Sequence, residues 1–104
     1  MSSSHVYVVV VHIYDTSDDR YYICPSREEA LIFASNLVMK DLMDGARCTK
    51  SEMKKLKKPL QRLAAWSDSG SSDGRSNYEF CSGSIGLVKI TKTKVYRNNK
   101  LNGL

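Results

Sequence analysis

The sequence predicts an α+β domain: a small antiparallel sheet, in the order β-β-α-α-β-β, with helices packed on it. Three observations carry this. Residues 6–14 (Val-Tyr-Val-Val-Val-Val-His-Ile-Tyr) are almost all β-branched or aromatic, and such side chains fit a pleated sheet better than a helix. Ser26-Arg27-Glu28-Glu29 opens a helical pattern with a capping box, in which serine and glutamate satisfy each other's orphan backbone amides. The last third of the chain returns to short alternating runs.

The first strand carries little polarity on either side, which suggests a central strand covered on both faces. Alternation puts Val6, Val8, Val10, His12 and Tyr14 on one face, and Tyr7, Val9, Val11 and Ile13 on the other. The Asp15–Asp19 run is a hairpin loop of side chains that bond their own backbone. Arg20–Cys24 is the return strand, ended by Pro25, which has no N–H for a ladder.

The helix from Ser26 should reach about Asp44 and stop at Gly45. Ala30, Phe33, Ala34, Leu37, Val38 and Leu42 form the face expected to cover the sheet. Asp41 sits beside that face and needs a partner if buried, for which Arg47 is suited. Ile32, Met39 and Met43 make a second, narrow apolar stripe on the opposite side. A two-layer domain does not need such a stripe for its core, so these three residues are a candidate protein-contact site.

Residues 51–66 repeat apolar side chains at spacings of three and four (Met53, Leu56, Leu60, Leu63). Pro59 interrupts them and predicts either a kink or a fresh helix start. Residues 67–77, rich in Ser, Gly and Asp, are expected to be a mobile loop. Tyr78–Cys81 and Leu87–Tyr96 are two further strands, with a turn at Ser82–Ser84 and Gly86 marking a bulge. Thr91–Lys94 alternates like an exposed edge blunted by lysine. The last strand is the expected second neighbour of the first. Residues 97–104 are a polar tail, and the 104 residues imply one domain.

Charge is uneven. Residues 1–46 carry three basic and seven acidic side chains, whereas residues 47–66 carry seven basic and one acidic. Lys50, Lys54, Lys55, Lys57, Lys58 and Arg62 could line one helical surface, and Lys89, Lys92, Lys94 and Arg97 an adjoining strand. Phosphate contacts need only such a surface. Trp66, Tyr78 and Tyr96 are candidate stacking residues. No spacing matches an RRM, KH, zinc-finger or homeodomain pattern.

No catalytic, metal or nucleotide motif is present. Cys24, Cys48 and Cys81 are odd in number and widely spaced, as expected of reduced thiols in a cytoplasmic or nuclear protein. Cys24 precedes a helix start, where the dipole lowers a thiol's pKa, yet it also alternates onto a sheet face, which favours packing. His12, among valines, suits a hydrogen-bonded core or half-core position. Neither a cofactor nor a metal is expected. No apolar run reaches the roughly 20 residues of a membrane-spanning helix. Asp68-Ser69-Gly70, followed by Ser71-Ser72-Asp73, resembles the Asp-Ser-Gly phosphodegron, which would imply phosphorylation in this loop.

The expected function is that of a non-enzymatic interaction or structural module. It would act as an accessory subunit of a larger assembly, such as a virus particle or ribonucleoprotein, through a protein partner or self-association. The alternative is a basic nucleic-acid-binding protein that makes mainly phosphate contacts.

Overall fold

The computed structural model describes residues 4–14, 18–44, 49–83 and 86–95, and only the backbone of Ser4, Met43, Asp44 and Met53. Among the described residues, five strands and three helices follow in the order β1 (Ser4–Ile13), β2 (Arg20–Cys24), α1 (Arg27–Asp44), α2 (Lys50–Lys55), α3 (Pro59–Trp66), β3 (Ser69–Ser72), β4 (Tyr78–Ser82) and β5 (Gly86–Val95). The sheet is antiparallel throughout, ordered β2-β1-β5-β4-β3. The α+β class and the pairing of the first strand with the last are as the sequence indicates.

Local signals set the helix starts. The Glu29 amide donates to the Ser26 hydroxyl at 3.2 Å, which satisfies one of the first-turn amides of α1. Pro59 begins α3, where its missing N–H is harmless. The Gln61 side chain accepts from the Lys58 amide at 3.2 Å, closing the entry to that helix.

The core lies between one face of the sheet and the α1/α3 layer. Register stacks Val9 across from Ile90, Val11 from Val88, Tyr78 from Ile90 and Phe80 from Val88. Over them lie Ala30, Ala34, Val38 and Leu42 of α1, with Leu63 and Trp66 of α3. Tyr22 on β2 meets Phe33 with ring centroids 4.7 Å apart.

Several expectations are corrected. Among the described residues, β1 is covered by helices on one face only. β1 is internal, but β5 occupies the middle of the sheet. Thr91–Lys94 is therefore not a simple edge. It pairs with β1, while the β4 ladder ends at Ile90, and the Lys92 amide is taken up by the Asn77 side chain at 3.3 Å. Gly86 is a regular pairing position opposite Ile13 and Ser82, with no bulge.

The buried face of α1 is also rotated from the expected one. Leu31 and Ser35 are buried, while Leu37 is 39% exposed. The cause is α3, which packs along the side of α1. The Ser35 hydroxyl accommodates this by donating to the Ile32 carbonyl at 2.9 Å.

Within the expected loop 67–77, Ser69–Ser72 forms a strand on β4. Polar side chains, not apolar periodicity, fix this hairpin. The Asp68 carboxylate accepts from the Gly83 amide at 2.5 Å. Asp73 accepts from the amides of Arg75, Ser76 and Asn77 at 2.7–3.0 Å, and Gly74 takes the left-handed conformation at φ 80°. Gly45, Arg47, Cys48, Tyr96, Arg97 and the polar tail 97–104 lie outside the described residues.

Candidate functional site

Period-two alternation gives each residue of β1 one of two environments. The odd-numbered residues face the helices. The even-numbered ones, Val6, Val8, Val10 and His12, face the other way, and among the described residues no helix covers that side. On β2 the same side carries Ile23 opposite Val8 and Tyr21 opposite Val10. On β5 it carries Leu87, Lys89, Thr91 and Thr93, opposite His12, Val10, Val8 and Val6.

This open face is apolar where β2 and β1 meet. Ile23 is 73% exposed and Tyr21 65%, and the three valines beside them are half-buried by their neighbours. Burying a large apolar side chain contributes roughly 1.5–3 kcal/mol, which is what covering each of these two would add. Toward β3 the face turns polar. Glu79 lies opposite Lys89, and Ser71 opposite Glu79.

At the rim, the His12 Nδ1 and an Asp19 carboxylate oxygen form a hydrogen bond. The His12 and Tyr14 rings meet edge-on at 5.9 Å. His12 is thus a half-buried sheet residue with a carboxylate partner.

The α1 stripe stands on a separate surface. Ile32 is 49% exposed, Met39 is half-buried, and the Met43 side chain lies outside the described residues.

The basic residues are divided. Lys50, Lys54, Lys55, Lys57 and Lys58 are exposed along α2 and the entry to α3. Arg62 is half-buried, and its guanidinium donates to the Leu56 carbonyl at 2.8 Å, tying α3 to the segment before it. Lys89 points to the open face, whereas Lys92 and Lys94 share the register of Ile90 and face the helix-bearing side. Of the stacking candidates, Trp66 and Tyr78 are core residues.

Burial, reinforced by the Glu29 charge, pushes the Cys24 thiol up, against the expected effect of the nearby helix start. A thiolate nucleophile is disfavoured there. Among the described residues, no three His, Cys, Asp or Glu side chains are grouped to hold a metal ion, and no helix is long and apolar enough to cross a membrane.

Sequence reading missed the open face because β2 does not alternate polar with apolar. Tyr21 and Ile23 point to it, while Tyr22 and Cys24 point to the core, and all four read alike. No protein-family model, curated protein or solved structure matches this chain.

Proposed function

We infer that the protein is a non-enzymatic contact module, an accessory subunit that docks on a protein partner through the open face of its sheet. The observation that carries this is the exposure of Ile23 and Tyr21 beside Val6, Val8 and Val10. Contiguous apolar surface of this kind marks contact sites, and tyrosine is among the residues enriched at energetic hot spots. The polar β3/β4 half would form the rim.

The test compares Ile23→Lys with the unaltered chain. Association, measured by sedimentation and by pull-down from the native source with and without nuclease, should be lost. The unfolding free energy should change by no more than it does for an ordinary surface substitution, about 0.5 kcal/mol. Unchanged association would remove the open face from the contact.

A second reading, direct phosphate contact, is supported by Lys54, Lys55, Lys57 and Lys58. All four are exposed, and none has an ion-pair partner among the described residues.

A further inference from the structure

On the opposite, helix-bearing side of the sheet, α3 leaves uncovered a groove of about 640 Å³ between itself and β3. This lies within the range of ligand clefts, roughly 300–1,000 Å³. Leu60 and Ala64 form one wall, β3 the other, and the stacked Tyr78 and Phe80 rings, with centroids 6.3 Å apart, the floor. Gly70 keeps the groove open: a Cβ there would stand 3.2 Å from the Phe80 ring.

Among the described residues, the β3 wall ends the sheet. The Asp73 amide donates to the Asn77 carbonyl at 3.1 Å, which sets the phase of the ladder. Alternation then turns the backbone of residues 69 and 71 toward β4, and the N–H and C=O groups of Gly70 and Ser72 outward. Natural edge strands are commonly blunted by charge or proline, but Ser-Gly-Ser-Ser carries neither. Lys57 and Lys58, exposed and without an ion-pair partner among the described residues, stand just before Leu60 where α3 begins.

The geometry points to a peptide-binding site: an extended segment of a partner protein adds to β3 as a sixth strand. Its backbone bonds Gly70 and Ser72. Its alternate, apolar side chains enter the groove against Leu60, Ala64 and Phe80. An acidic residue meets Lys57 and Lys58. Two outward N–H/C=O pairs, two residues apart, match an extended backbone and select it over a compact ligand. The site does not depend on the open face, which lies across the sheet from it.

The test is selection from a displayed library of random peptides about a dozen residues long, using the full chain as bait and the Ala64→Glu variant as counterselection. Ala64 is an exposed helix position on the groove wall, so the variant should fold. Enriched peptides should alternate apolar residues and carry acid at one end. Synthesised, they should bind Ala64→Glu at least about tenfold more weakly, because a carboxylate would be buried against an apolar side chain. They should slow hydrogen exchange at the Gly70 and Ser72 amides, and they should lose binding when N-methylated at the amides that face β3. Ile23→Lys should bind them normally. No enrichment over the counterselection would overturn the site. So would peptides that perturb Tyr21 and Ile23 instead of Gly70 and Ser72, a result that would favour the open face.

Discussion

The β1 backbone passes so close to Gly86 that a Cβ at this position would stand far inside van der Waals contact distance of the His12 carbonyl oxygen. The obstacle is β1 main chain paired in the ladder, which cannot swing aside as a side-chain tip can. Gly86→Ala should therefore destabilise the domain by roughly 1–3 kcal/mol, the range for overpacking, read by denaturant unfolding. Gly83→Ala is the control, since there a Cβ would meet only the Asp68 carboxylate, at 3.0 Å. Equal stability of the two variants would contradict the close approach.

Ser26 caps α1 through the Glu29 amide. Ser26→Ala should cost about 1 kcal/mol, whereas Ser26→Asp should retain most of the stability by offering the same acceptor near the helix's positive end. A melt of Ser26→Ala identical to the parent would show that the bond contributes nothing.

The phase of α1 can be tested at two adjacent residues. Leu31 is buried against the core and Ile32 is 49% exposed. Leu31→Ala should cost roughly 2–5 kcal/mol, and Ile32→Ala well under half as much. Ile32→Lys tests the outer stripe separately. Loss of association with an unchanged melt would add Ile32 and Met39 to the contact.

Asp73 holds the turn before β4. The amides of Ser76, Asn77 and Arg75 keep its carboxyl far below the usual carboxylate range. Its folded pKa is depressed, so its contribution is present above the unfolded pKa of about 3.9 and is lost as pH falls through the folded value. The turn should stay closed through mild acid. At neutral pH, Asp73→Ala should speed tryptic cleavage after Arg75, followed by mass spectrometry, with little change at Lys89. Unchanged cleavage would mean that the carboxylate does not organise the turn.

If Lys54, Lys55, Lys57 and Lys58 contact phosphate, affinity for duplex DNA should fall with salt at a log–log slope of roughly −0.9 per phosphate neutralised. Reversing Lys54 and Lys55 should flatten that slope. No binding at low salt, or a slope that the reversal leaves alone, would eliminate the phosphate reading.

What the sequence by itself determined was local. The β-branched run of β1, the Pro25 stop, the Ser26 cap and the Pro59 restart each act through side chains on their own or neighbouring backbone, so each is legible residue by residue. Tertiary structure decided the relations between elements. Whether Val8 and Val10 meet a helix or an open face depends on where the α1/α3 layer comes to lie, and β1 reads the same in either case. Leu31 replaced Leu37 in the core because α3 packs against the side of α1. Ser69–Ser72 became a strand with no apolar pattern, because the unpaired edge of β4 supplied hydrogen bonds while Asp68 and Asp73 fixed the two ends. Both candidate contact surfaces arise in this way. The open face is the side of the sheet that no described helix covers, and the groove is the space beyond α3. Neither is encoded at any single position, because each is the gap left when elements of fixed size pack together.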